Sequence, residues 1–334
     1  MPAVPHSQLE AACRAEGLTH LASIPMPGPL AAEGLDRMAA DGVGDIGWIL
    51  QDRHLRLQPS ALLPTARSLL CVAWHHHAPV AAGPSGLRRA AYAAGKDYHV
   101  VLRPKLGRVG ARLNRDCGQE WRHRACVDSA PVCERTLAAM AGLGWIGRNA
   151  LLISPETGSY RLLGLLLTEA PLEERRGGHA ADRCGSCTRC ESACPTGALT
   201  GRRCLTERCI SYLTIEHQGV IPRHLAERFG GWWFGCDLCQ ESCPWNRFAP
   251  PGEDVRLAGS DTEADLLDVT AERFDAHFAG RAIRRIGWIR FRRNLLVALW
   301  SVGRQDEARL LLTGAPELVL AQAAELGLAP TAGR

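Results

Sequence analysis

The residues with the clearest chemistry in this chain are cysteines. Cys184, Cys187, Cys190 and Cys194, with Pro195 behind them, read C-x2-C-x2-C-x3-C-P. In that spacing three thiolates grip one 4Fe–4S cluster and the fourth belongs to a neighbouring cluster. The neighbour follows as Cys236, Cys239 and Cys243, again closed by a proline, Pro244, but with Trp233 where a leading cysteine belongs. By symmetry Cys184, Cys187, Cys190 and Cys243 hold the first cluster. Cys194, Cys236 and Cys239 take three corners of the second, and either Cys204 or Cys209 supplies the fourth. Zinc would favour paired C-x2-C motifs without the x3-C-P tails. A disulfide framework calls for an oxidising compartment and usually a smaller chain.

Composition bounds the rest. At 334 residues the chain has room for two or three domains with cores of their own. Its 46% hydrophobic content is ordinary for a soluble protein, and no apolar run approaches the length of a membrane helix. The first residues, Met1-Pro-Ala-Val-Pro-His-Ser-Gln8, carry neither the basic and apolar regions of a signal peptide nor a twin-arginine pair. With 14 cysteines, this start implies metal ligation in a reducing cytoplasm and no membrane association. The net charge of +4 is too small to establish a nucleic-acid partner. Lys96 and Lys105 are the only lysines, so nearly all positive charge is arginine.

Periodicity and turn residues outline the elements that must position the chemistry. A helix is expected over 7–20 from Ser7, a strand over 21–24, and a helix over 30–41 ended by Gly42 and Gly44. A short helix over 47–53 precedes a buried apolar strand over 68–74. His75, His76 and His77 close that strand. Adjacent strand side chains face opposite ways, which favours a polar strand end over a metal site. Tyr92, Asp97, Tyr98 and His99 gather aromatic and ionisable groups at a turn before a helix over 100–117. A strand over 121–127 then delivers Asp128-Ser129-Ala130-Pro131 to a helix over 132–140. There Asp128 or Ser129 is either an N-cap, or Asp128 is a general acid kept protonated by desolvation. The glycine-rich stretch 142–147 runs into a strand, which argues against a dinucleotide loop. Strands over 150–153 and 158–168 are expected to form a hairpin, and 169–183 to be a linker. A helix beginning at a cysteine spans 207–218, and residues 260–334 read as all-helical. In that last region Arg284, Arg285, Arg292 and Arg293 alternate with apolar residues, a pattern that can cover core with one face and meet phosphates with the other.

Several motifs together carry a resemblance. Val127-Asp-Ser-Ala-Pro131, Gly142-Leu-Gly-Trp-Ile-Gly147, Cys209-Ile-Ser-Tyr-Leu-Thr-Ile-Glu216, Gly235-Cys-Asp-Leu-Cys239, Cys243-Pro-Trp-Asn246 and Ile283-Arg-Arg-Ile-Gly287 look like those of the epoxyqueuosine reductases. These enzymes are cytoplasmic, cobalamin-dependent iron–sulfur proteins that complete queuosine synthesis at the tRNA wobble position. The resemblance implies an α+β multidomain fold related to reductive dehalogenases. Residues 1–172 would form an α/β cobalamin-binding catalytic domain, 173–252 a bacterial-type two-cluster ferredoxin domain, and 253–334 a short HEAT-like helical domain that binds tRNA. It assigns the open cluster corner to Cys209 and makes Asp128 the proton donor. Cobalamin would meet Gln51, Arg53, Asp128, Leu152, Leu163, Ser211 and Asp237. The family often has a basic residue a few positions beyond Trp48, where this chain has Gln51 with Arg53 nearby. RNA would meet Gln218 as well as the four arginines. The implied partners are tRNA carrying epoxyqueuosine and a low-potential donor of flavodoxin or ferredoxin type, with the enzyme a monomer. A dehalogenase-like reductase of small molecules and a plain ferredoxin-type electron carrier are the competing readings.

Overall fold

The computed structural model describes residues 2–76, 86–179, 181–252, 254–258 and 264–328. Its first part is built from α1 (His6–Arg14), β1 (Leu21–Pro25), α2 (Glu33–Asp41), α3 (Trp48–Gln51), α4 (Arg53–Leu57), β2 (Ser68–His75), β3 (Arg88–Arg89), α5 (Tyr98–Cys117), β4 (His123–Cys126), α6 (Glu134–Met140), β5 (Trp145–Ile146), β6 (Leu152–Ile153) and β7 (Arg161–Thr168). The main sheet runs in the order β1-β2-β7-β4, antiparallel throughout.

The two-residue period of the central strands divides the interior into two layers. Leu70, Val72 and Trp74 of β2, with Leu162 and Leu166 of β7, face α1 and α5. Leu69, Cys71 and Ala73, with Leu165 and Leu167, face Leu137 and Ala138 of α6. Gly164 lies on the α5 side of β7, where a Cβ would sit 2.9 Å from a methyl of Leu106. The glycine lets helix and sheet close up.

The expected 150–153/158–168 hairpin is not formed. β6 pairs instead with β5, and β7 lies between β2 and β4. Only the bridge between Ser154 and Gly158 remains of it. β2 and β7 are both near-continuous apolar runs, so both belong in the sheet centre, buried on both faces. The segment expected to be a linker is stitched down as well. Leu172 bridges Val4, and Arg175 bridges Ser23 on the free edge of β1.

The cysteine-rich part holds α7 (Arg189–Ala193), the small hairpin β8 (Leu199–Thr200) and β9 (Arg203–Cys204), α8 (Ile210–Ile215), α9 (Arg223–Ala226), β10 (Trp232–Phe234) and α10 (Leu238–Glu241). The final part is helical, as expected: α11 (Ala264–Leu267), α12 (Ala271–His277), α13 (Gly287–Ser301), α14 (Gln305–Leu310) and α15 (Glu317–Glu325). One apolar core runs through both, joining Leu213, Phe229 and Trp232 to Phe291, Leu295 and Val319. β10 also pairs with β3 in parallel, and so ties the cysteine-rich part to the first part. Among the described residues no helix is long and apolar enough to cross a membrane.

Candidate active site and cluster cavities

The four cysteines assigned to the first cluster, Cys184, Cys187, Cys190 and Cys243, line one small cavity together with Arg148, Arg183, Arg189 and Trp245. Trp145 of the glycine-rich stretch donates its indole N–H to Cys184 Sγ at 3.4 Å and meets Trp245 edge-on at 5.2 Å. Asn246 fixes this module to the first part, accepting the Ser159 N–H at 2.6 Å and donating to Gln240 O at 2.7 Å. The aromatic and amide residues of these motifs therefore hold the cluster walls in place.

The second set converges equally well. Cys194, Cys209, Cys236 and Cys239 line a cavity of about 620 Å³, with Cys204 also on its wall. Cys209 stands at the N-cap of α8, and the Cys204 thiol hydrogen-bonds to it. All 14 cysteines are free of disulfides. Among the described residues no three His, Cys, Asp or Glu side chains converge closely enough for a single metal ion. A zinc would need four ligands at about 2.0–2.3 Å from one point, whereas a cubane takes its sulfurs at separate corners.

The same cavity extends well beyond the cysteines. Its far wall is α2, through Gly34, Arg37, Met38 and Asp41, while Tyr92, Ser211 and Asp237 complete its sides. Arg203 of β9 reaches across to Asp41 at 2.9 Å. Behind that pair, Asp45 accepts the Tyr212 hydroxyl at 3.1 Å and the Gln218 N–H at 3.2 Å, and lies 2.9 Å from His217 Nδ1. Asp237 is buried and accepts the Ala91 N–H at 2.7 Å, and burial raises its carboxyl to about 6. The volume, the mixture of apolar and amide-binding groups, and the direct continuity with the second cluster fit a large macrocycle such as a corrinoid. Of the residues expected at cobalamin, Ser211 and Asp237 line this cavity. Leu152 is buried and Leu163 packs on the α6 side of the sheet. Gln51 is exposed on α3, and Arg53 pairs with Asp36 of α2 at 2.5 Å.

Tyr92 leads from the cavity to Asp128. Its ring meets Tyr98 edge-on at 5.9 Å, and Tyr98 stacks on His99 at 4.1 Å. His99 Nε2 lies 3.1 Å from Asp128 Oδ2, while its Nδ1 lies 2.5 Å from Asp97 Oδ1. Asp97 also caps α5, accepting the His99 N–H at 3.0 Å. Asp128 does not cap α6. That helix starts at Glu134, with Cys133 at its N-cap and no side-chain cap bond. Asp128 instead adopts a left-handed backbone, φ 51°, a conformation that costs a non-glycine residue on the order of 1–3 kcal/mol. Its N–H is held by Glu134 Oε1 at 2.5 Å. The strand thus ends in a strained turn that leaves the carboxylate side chain 54% exposed.

The electrostatics correct one expectation. Desolvation by the surrounding protein works to raise Asp128, but hydrogen bonds from His99 and Tyr98 and the charge of Arg285 outweigh it, and its carboxyl is lowered. At rest the carboxylate is ionised rather than protonated. Burial also works against a charged His99 ring, yet its bonds to Asp128 and Asp97 raise it to about 9. Glu134, by burial and the nearby Asp128 charge, is raised to about 7. Asp97, His99, Tyr98 and Glu134 were not singled out as site residues in the sequence. The ionisable turn was visible, but its juxtaposition with Asp128 is tertiary.

The residues expected at RNA divide. Gln218, Arg284 and Arg285 are exposed, Arg284 pairing with Asp275 and Arg285 with Glu216. The charge of Arg285 also acts on Asp128. Arg292 is partly buried, its guanidinium 5.7 Å from the Trp288 ring. The expectation for Arg293 is overturned. Its side chain is fully buried and donates to Leu213 O, His217 O, Gly219 O and Asn294 Oδ1 at 2.6–3.1 Å. It joins α13 to the end of α8 and cannot meet phosphate. The histidine triplet behaves as a strand end. His75 and His76 are buried against different rings, His20 and Tyr160, and His77 lies outside the described residues.

Two cysteine-lined cavities, the second extending to Tyr92, define an iron–sulfur oxidoreductase. Residues 183–246 match the family model "4Fe-4S double cluster binding domain", and residues 56–129 match "Epoxyqueuosine reductase QueG, DUF1730". The chain is 38% identical over 269 residues to the epoxyqueuosine reductase of Vibrio cholerae, covering 77% of this chain and 72% of that protein. It is 38% identical to that of Escherichia coli, with 77% and 70% covered, and 44% identical to that of Burkholderia pseudomallei, with 67% and 58% covered. Among solved structures, an epoxyqueuosine reductase with an epoxyqueuosine-modified tRNA stem loop superposes with a TM-score of 0.83 at 26% identity, over 96% of this chain and 89% of that one. The chain belongs to the epoxyqueuosine reductase family.

Proposed function

We propose that this chain reduces epoxyqueuosine to queuosine at the wobble position of tRNA, drawing electrons through two 4Fe–4S clusters into a corrinoid. The observation that carries this reading is continuity: one cavity joins the second set of cysteines to Ser211, Asp237 and Tyr92, and Tyr92 packs on Tyr98 beside Asp128. An electron carrier needs neither the larger cavity nor the strained acid.

Cobalamin, when bound, supplies the strongly reducing centre that side chains cannot. Ser211 and Asp237 would hold it from within the cavity, and Gln51, Arg53, Leu152, Leu163 and Asp128 are the further contacts that the family pattern suggests. Asp128 delivers a proton to the departing epoxide oxygen. Its left-handed turn, braced by Glu134, fixes the backbone that carries the carboxylate. Cys209 completes the second cluster with Cys194, Cys236 and Cys239, and the first cluster receives electrons from a flavodoxin- or ferredoxin-type donor. Arg284, Arg285 and Gln218 contact the RNA. The enzyme works in the cytoplasm as a monomer.

The test is single-turnover reduction under anaerobic conditions. Asp128→Asn should keep both clusters and bound corrinoid but slow the reaction about 10²–10⁴-fold, the usual worth of a positioned acid. A near-wild-type rate would remove Asp128 from the role.

A further inference from the structure

Turning an epoxide into an alkene breaks both C–O bonds, forms a C=C bond and releases the oxygen as water. The balance requires two electrons and two protons. The clusters account for the electrons, but Asp128 rests as a carboxylate and holds no proton to give. Two groups hydrogen-bond to it, Tyr98 and His99; burial and the Asp128 charge hold the Tyr98 hydroxyl proton well beyond the ordinary phenol range, which leaves the imidazolium as the source.

We propose that the proton delivered to the oxygen is stored on His99 and passes through Asp128, with Asp97 as the positioning residue that fixes the imidazole. This rests on the reductase reading above. His99 Nε2 and Asp128 Oδ2 are 3.1 Å apart, and Nδ1 is pinned 2.5 Å from Asp97 Oδ1. With Asp97 holding the Nδ1 proton, the only proton His99 can release is the one at Nε2, toward Asp128. That proton moves from Nε2 to one Asp128 oxygen while the carboxyl gives a proton to the epoxide oxygen. His99 is left neutral with Nδ1–H still on Asp97. Its side chain is 25% exposed, so solvent can recharge it for the second proton.

The groups facing this pair support proton storage. Asp97 precedes His99 on the same turn. Asp128 and Glu134 approach from the strand end and from α6. Tyr98 stacks on the ring, Tyr92 packs on Tyr98, and Arg285 adds its positive charge to Asp97 and Asp128. The two carboxylates prevail, and His99 keeps its proton to about pH 9.

The first experiment is a pH titration of the histidine 15N shifts in the whole protein, without tRNA. His99 should titrate near 9, and Asp97→Asn should lower that midpoint by about one unit or more. Asparagine still caps a helix, so this variant removes the charge and keeps α5. A His99 midpoint near 6.5, the value of a free imidazole, or one unmoved by Asp97→Asn, would overturn the proposal. The second is single-turnover reduction of epoxyqueuosine tRNA. His99→Gln should slow it by about 10²-fold or more with tRNA affinity retained. The wild-type rate should fall as pH passes about 9, and the Asp97→Asn rate should fall at lower pH. A His99→Gln enzyme with the wild-type rate and profile would also overturn it. If His99 titrates near 9 but the wild type leaves epoxyqueuosine untouched, the reductase reading fails and proton storage stands.

Discussion

Arg293 offers a sharp test of the packing argument, because the sequence pattern and the structure assign it opposite roles. The perturbation is Arg293→Met, which keeps the bulk and removes the guanidinium. In the fold that group donates to three carbonyls, Leu213 O, His217 O and Gly219 O, at 2.8, 2.8 and 2.6 Å. Burial and the neighbouring Arg290 charge lower it to about 9, and the charge of Asp45 offsets this only in part. Removing it relieves a desolvated cation but strands three acceptors, each costing about 1–3 kcal/mol when left unpaired. We take a net loss of about 3–5 kcal/mol, a large share of the roughly 5–15 kcal/mol that stabilises a typical domain. For parts of this size that lowers the melting temperature by on the order of 10 °C. Calorimetry on the whole protein gives the shift, and filter binding at several salt concentrations gives the RNA affinity. The expected result is a large thermal loss with an unchanged salt slope for tRNA binding below the melting point. An unchanged melting temperature with a shallower salt slope, the mark of a lost phosphate contact, would refute the assignment.

Other outcomes follow from the same geometry. Cys209→Ser should leave iron and sulfide for one cluster, while Cys204→Ser keeps two; the reverse pattern would move the ligand to Cys204. Gly44 has φ +50°, and a Cβ there would fall 2.1 Å from the Tyr212 hydroxyl. Gly44→Ala should therefore cost on the order of 2 kcal/mol or more and expose 33–46 to proteolysis, and an unaltered digestion pattern would contradict the docking of that segment. The raised His99 makes stability pH-dependent. With an unfolded value of about 6.5, its contribution is fully present below that pH and is lost as pH rises through about 9, up to about 3 kcal/mol. His99→Gln should flatten this part of the stability profile, measured by denaturant titration at several pH values; a profile that His99→Gln leaves unchanged would show no such linkage.

Much of this organisation was legible in the sequence because it is local. The cysteine spacing is a covalent constraint, and both predicted ligand sets line single cavities. The strands around Leu70 and Leu166 declare themselves by unbroken apolar runs. What failed is non-local. Ser154-Pro-Glu-Thr-Gly158 looks like a hairpin turn and is closed like one, yet nothing in it shows that Leu152–Ile153 will pair with Trp145–Ile146. Arginines at helical spacing in α13 cannot reveal which of them faces in. Arg293 does, because the carbonyls at the end of α8 await a donor there. Asp128 followed by Ser129 and Pro131 is a fair cap pattern, but the helix begins later, and the carboxylate is claimed by a histidine from a turn near residue 99. The charge state reversed for the same reason: desolvation is foreseeable from a pocket, whereas a specific imidazole partner is not.

The central claim is that this chain removes the epoxide oxygen from a modified tRNA base with electrons passed through its clusters. The most direct measurement is anaerobic incubation of the reconstituted protein with cobalamin, a low-potential reductant and tRNA bearing epoxyqueuosine, followed by mass spectrometry of the digested nucleosides. Epoxyqueuosine should lose the mass of one oxygen, only when cobalamin and both clusters are present. Unchanged epoxyqueuosine from protein that carries both clusters and corrinoid would contradict it.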